Sequence, residues 1–198
     1  MKKIVKLMGL LLVAGAMFIG CKQEANTLTT DFKLSNGKWE FVADATMSEE
    51  FLEDGVKITE SMTYNTKEML QVTDGAIKVL SATQKIEASV TFPEGTAQDV
   101  LDSAKALAEA KKGEGDTVTV KGTTVTLTTT HTATDAEIEE ENADNPKVSD
   151  IVDSFPKGVE IYTNKKKTIY KVYYPVTSSS SDGLTASSKT TMTFTKQK

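Results

Sequence analysis

Thr117-Val118-Thr119-Val120-Lys121-Gly122-Thr123-Thr124-Val125-Thr126-Leu127 is the stretch whose reading decides the fold. Its apolar residues return at every second position, the period of a strand with one buried face. The opposite face is almost wholly Thr. Thr suits extended backbone through its branched Cβ and keeps a hydroxyl for water, so one side of the ribbon is dry and the other wet. A two-residue Lys121-Gly122 turn would fold the ribbon into a hairpin that pairs Val118 with Val125.

The same pattern extends outward in both directions. Upstream, Thr73-Asp74-Gly75-Ala76 is a hairpin cue, because Asp-Gly suits the positive dihedrals of a type I′ turn. With Asp74 and Gly75 in the loop, Val72 faces Ile77 and Leu70 faces Val79, so apolar residues meet across the ladder. Trp39, Phe41 and Ala43 alternate after Gly37; Val56, Ile58, Met62 and Tyr64 share one parity; Ile86, Ala88, Val90 and Phe92 form another run, stopped by Pro93. Downstream, a pairing over Asn164 to Lys167 sets Glu160 opposite Lys171 and Ile161 opposite Tyr170, and Thr191 to Thr195 makes a last strand. The total is about ten short strands. Thr96 to Lys112 has helical spacing, with Thr96 and Asp99 placed as a capping box and Gly113 as a stop. Asn145-Pro146 opens a second short helix with Val148, Ile151, Val152 and Phe155 inward.

Composition narrows the function classes. The chain has 198 residues, a net charge of -5, one His, one Cys and one Trp; all 23 basic residues are Lys, and 29 residues are Thr. An acidic chain without a basic cluster does not suit nucleic acid. Without Arg there is no bidentate fork for phosphate, and one Cys forms neither an internal disulfide nor a thiolate metal site. Lys2, Lys3 and Lys6 precede an uncharged apolar run from Leu7 to Ile19, too short to span a bilayer as a stable helix and typical of a secretory signal over residues 1–20.

Phe18-Ile19-Gly20-Cys21 resembles the lipobox of bacterial lipoproteins, with Phe18 where Leu is usual. The resemblance implies cleavage before Cys21 and a lipid on its thiol and amine, and two or more acyl chains hold a domain stably at a membrane. The mature chain would carry 20 Lys against 28 acidic residues, a net charge of -8. Lys22 after the Cys implies sorting to the outer membrane of a diderm host. Residues 21–35 are polar without period and read as a lipidated flexible tether, leaving residues 36–198 as one domain.

Many antiparallel strands with one apolar face either close into a barrel or pair as a sandwich. Tight hairpins favour a meander and a barrel. Gly37-Lys38-Trp39 resembles the G-x-W of lipocalins, and residues 190–196 are similar to the closing strand of bacterial lipocalin-like domains, so the resemblance spans residues 37–196. It implies a lipocalin-like barrel with an Arg packed on the Trp, and this chain has no Arg. The expected fold is therefore mainly β, an antiparallel meander closing as a lipocalin-like barrel with one or two short helices; the alternative is a β-sandwich.

An interior lined by Trp39, Phe41, Met62, Tyr64, Tyr170 and Tyr174 would suit a small apolar or amphipathic ligand. Tyr162 and Tyr173 fall on the other face of the last hairpin. His131 reads as a rim residue, and the acidic run from Asp135 to Asp144 as a solvated loop that lacks the ordered spacing of a Ca²⁺ site. No nucleophile motif or Gly-rich phosphate loop is present. These features predict a lipid-anchored, non-enzymatic binding module of the cell envelope, without cofactor or metal. The alternative is a structural or surface-antigen lipoprotein that acts through protein contacts.

Overall fold

The computed structural model describes residues 27–53, 55–181 and 184–198. The signal segment and Cys21 lie outside them. The strands are β1 (Thr27–Thr29), β2 (Gly37–Glu53), β3 (Val56–Thr73), β4 (Ala76–Thr91), β5 (Thr117–Lys121), β6 (Thr124–Thr132), β7 (Glu160–Thr163), β8 (Ile169–Tyr173), β9 (Thr177–Ser181) and β10 (Leu184–Lys196). The helices are α1 (Gln98–Lys111), α2 (Asp135–Ala143) and α3 (Val148–Asp153). The chain is mainly β, as its alternation predicts.

Among the described residues the ten strands form one antiparallel sheet, ordered β1-β7-β8-β10-β2-β3-β4-β6-β5, with β9 paired to β10 alone. This corrects the expected barrel: the sheet stays open, because β1 and β5 end the order without pairing to each other. The strands are unequal rather than uniformly short. β2, β3 and β4 run for 17, 18 and 16 residues, whereas β1 and β5 have 3 and 5. Barrel closure needs edge strands long enough to share a staggered ladder, and such short edges cannot supply one.

The apolar face is instead covered at one end of the sheet. Trp39, Phe41, Leu70, Val72, Tyr170 and Phe194 are all but inaccessible there. In the segment expected as tether, Phe32 and Leu34 belong to this core. β1 pairs with β7, Leu34 is buried, and the Phe32 ring lies 5.0 Å from Tyr170 and 5.1 Å from Phe194. Phe32 and Leu34 are two alternating apolar residues in a polar stretch, and burying each is worth roughly 2 kcal/mol.

The Asp74-Gly75 turn forms as predicted, with φ of 50° and 84° and the pairs Leu70↔Val79 and Val72↔Ile77. The other two hairpins differ from expectation by a shift in register. Val120 faces Val125 and Val118 faces Leu127, because Gly122 (φ 57°) opens the turn instead of closing it. Ile161 faces Val172, because the Asn164 side chain accepts from the backbone N–H groups of Thr168 and Ile169 and widens that loop. Both shifts keep the apolar residues on their face.

The helices depart from expectation in detail. The N-cap of α1 is Ala97, and Thr96 donates to Pro93 O instead of forming a capping box. Of the apolar residues at helical spacing in α1, Leu101 is buried, whereas Val100 and Leu107 are exposed. The acidic run expected as a loop is α2, started by a capping box between Thr134 and Glu137. In α3, Val148 and Ile151 are buried while Val152 is exposed, and the Phe155 ring beyond the helix packs on Phe32.

Candidate functional site

Of the residues expected to line a ligand cavity, Trp39, Phe41, Tyr170 and Tyr174 are brought together in the core. They pack on aromatic neighbours: Phe41 lies 4.8 Å from Phe194, Trp39 6.2 Å from Tyr170, and Tyr174 6.3 Å from Phe155, ring centre to ring centre. Trp39 donates its indole N–H to Ser35 O at 2.8 Å. Met62 and Tyr64 stand apart on the same sheet face, half-buried opposite Met47 and Ala45. Tyr162 and Tyr173 stack edge to face at 5.6 Å on the outer side, where Tyr162 donates to Glu160. Cys21 lies outside the described residues. Shallow depressions occur on α1, between Asp102, Lys105, Ala106 and Glu109, and beside the 74–75 turn, between Leu34, Asn36 and Val148.

The unusual chemistry lies where α2 meets the sheet. Among the described residues, the outer edge of β4 from Ala76 to Ala82 has no strand partner, since β6 pairs only from Thr83 onward. The chain after β6 covers this edge group by group. Ala133 N–H donates to Ala82 O at 2.9 Å, and Ile77 N–H donates to Pro146 O at 2.8 Å. The Asn142 amide accepts from Val79 N–H at 2.7 Å and donates to Val79 O at 2.9 Å, as a neighbouring strand would. An exposed strand edge is thereby closed by a helix.

Docking α2 here buries two carboxyl groups. Glu68 sits on the core face of β3 between Phe41 of β2 and Ala82 of β4, and is 3% exposed. Glu141 on α2 is also buried. Among the described residues, Glu68 Oε2 and Glu141 Oε2 have no hydrogen-bond partner. Burial pushes the Glu68 carboxyl up to about 8, and the charge of Glu141 adds to the shift. Burial raises Glu141 as well. Desolvation disfavours a carboxylate, and a second carboxylate nearby disfavours it further. Sequence inspection missed this pair. Alternation along β3 from Thr66 to Leu70 places Glu68 inward, and that parity was its one available signal.

His131 is exposed and approaches Glu137 Oε2 at 3.1 Å. The Glu137 carboxylate also accepts from Thr134 N–H at 2.8 Å and is held below the usual range, chiefly by that bond. The contact adds to the capping of α2. Among the described residues, no cluster of three or more His, Cys, Asp or Glu side chains could hold a metal ion. No described helix is long and apolar enough to cross a membrane. No protein-family model matches the chain, and no curated protein sequence matches it.

Proposed function

We propose that this chain is a lipid-anchored cell-envelope protein that acts through protein–protein contacts made by its open sheet. One observation carries the proposal: β2 and β3 run well beyond the aromatic core and expose apolar side chains at their far end. Leu52 is 63% exposed, with Val56, Met47 and, on neighbouring β10, Leu184 also exposed. Strands of 17 and 18 residues span about 55 Å at the usual rise per residue. The described chain begins in β1, which pairs with β7 beside the core. An anchor upstream of β1 would hold the core end toward the membrane and leave the far end for a partner. The candidate cavity residues support contact rather than encapsulation, because Trp39, Phe41, Tyr170 and Tyr174 are packed against other core rings, among them Phe194 and Phe155.

The test is photo-crosslinking in cells from a probe at position 52 or 184, compared with a probe on the exposed face of α1 at Lys105. A discrete protein adduct from the first two positions alone supports the proposal. Equal, diffuse labelling from all three, together with a small molecule retained by the purified chain in native mass spectrometry, overturns it in favour of ligand carriage.

A further inference from the structure

Glu68 and Glu141 are buried acids for which the neighbouring elements supply no cation. On β3 the adjacent Lys67 reaches across to Glu40 of β2 at 2.8 Å. α2 carries no basic residue; its remaining acids are Asp135, Glu137, Glu139 and Glu140. Glu137 is engaged by Thr134 and His131, and Glu139 and Glu140 face water. The cross-strand neighbours of Glu68 are Phe41 and Ala82, and Lys78 of β4 is exposed. A proton is then the compensation available to the pair. A buried carboxylate without a partner is expensive, and protonation removes the charge.

We propose that Glu68 and Glu141 form a proton-operated latch: α2 stays on the sheet while the pair holds a proton, and it is released when both carboxyls ionise. The moving part must be α2, because Glu68 belongs to a strand paired on both sides along its length. α2 has 9 residues, too few to be helical alone in water. Its attachment rests on the Asn142 contacts with Val79, the Ala133 bond to Ala82 and the packing of Ile138 against the core. Release would uncover the Val79 backbone groups on the edge of β4. A strand edge so exposed can pair with another chain, so the latch would make that edge available in a pH-dependent way.

Hydrogen exchange of the full chain, read over residues 133–143 and corrected for intrinsic rates, tests the latch between about pH 6 and about pH 9. Protection of this segment is expected to fall roughly tenfold or more across that range, while the β2–β3 ladder stays protected. Glu68→Gln, and separately Glu141→Gln, should hold the segment protected at the upper pH. The proposal is overturned if wild-type protection is flat across the range, or if both variants lose it as the wild type does. Restoration by added Mg²⁺ or Ca²⁺ at the upper pH, in the wild type and in neither variant, would also overturn it and assign the pair to a cation.

Discussion

Lys196 holds its ammonium 5.9 Å from the centre of the Trp39 ring, on the strand directly paired with that of the Trp. The same ammonium donates to Ser35 Oγ at 2.7 Å, and the indole N–H donates to Ser35 O at 2.8 Å. Three residues from the entry loop, the first long strand and the last strand are thereby tied together at the closed end of the core. The sequence resemblance to lipocalins implied an Arg packed on the Trp; in this chain a Lys stands over the ring. Lys196→Ala should lower stability in urea denaturation by about 1 kcal/mol, the scale of a partly exposed cation–π contact with one hydrogen bond. Trp39→Ala should cost about 3–5 kcal/mol, because it empties a fully buried site.

Gly37 owes its identity to the same junction. Its φ is 129°, and a Cβ at that position would meet Lys196 Cε at 3.1 Å. Gly37→Ala should therefore destabilise by roughly 1–3 kcal/mol through backbone strain. Pairing it with Lys196→Ala removes the crowding but leaves the φ. A double-mutant cycle in urea should thus recover only part of the loss.

What the sequence made legible was local and periodic. Trp39, Phe41 and Ala43 all face inward, with less buried residues between them, as they read, and Asp74-Gly75 sets its register because only one turn type tolerates two successive positive φ values. Closure was not legible. Whether β1 meets β5 depends on strand lengths, and apparent separate runs such as Val56–Tyr64 and Leu70–Val72 merge into one 18-residue strand. Helix α2 was hidden by its charge: DAEIEEENA has almost no apolar stripe, and the helix rests on a capping box and on the Asn142 contact with β4. The carboxyl pair was hidden for the same reason, since Glu141 is buried only because α2 docks.

Asn142 should matter more than a polar residue at a helix end usually does. Its amide satisfies both backbone groups of Val79 on an otherwise open edge. Asn142→Ala leaves a part-buried N–H and C=O unpaired, so a loss of about 1–3 kcal/mol is expected. Asn142→Asp keeps the acceptor but puts a carboxylate against Val79 O, and should be worse than Ala at neutral pH. Thermal unfolding of the two variants side by side checks the order.

Stability should fall as the pH rises through the neutral range. Burial holds the Glu68 carboxyl at about 8 in the folded chain, against 4.5 for an unburied glutamate. Between those values the folded chain binds the proton more tightly than the unfolded chain, so each step upward in pH favours unfolding. Below about 4.5 both states are protonated and the effect is constant; above about 8 both are ionised and it is again constant. Glu68→Gln keeps the shape without the charge. It should stabilise the chain at pH 8 by about 2 kcal/mol or more and flatten this part of the pH profile in urea titrations.

The lipid anchor has its own test, which does not depend on the fold. Cys21 is the chain's single Cys and follows an apolar run ended by Gly20. If it carries the lipid, Cys21→Ser removes the acyl mass and moves the chain from the membrane fraction to the soluble one. Electrostatics would not hold it there, because a chain cleaved before Cys21 would have 20 Lys against 28 acids and be repelled by an anionic surface. A Ser variant that still pellets with membranes and shows no change in mass would refute lipidation. A variant that loses the acyl mass yet stays bound would instead point to the exposed far end of the sheet, and substituting Leu52 and Leu184 by Asp in that background should then release it.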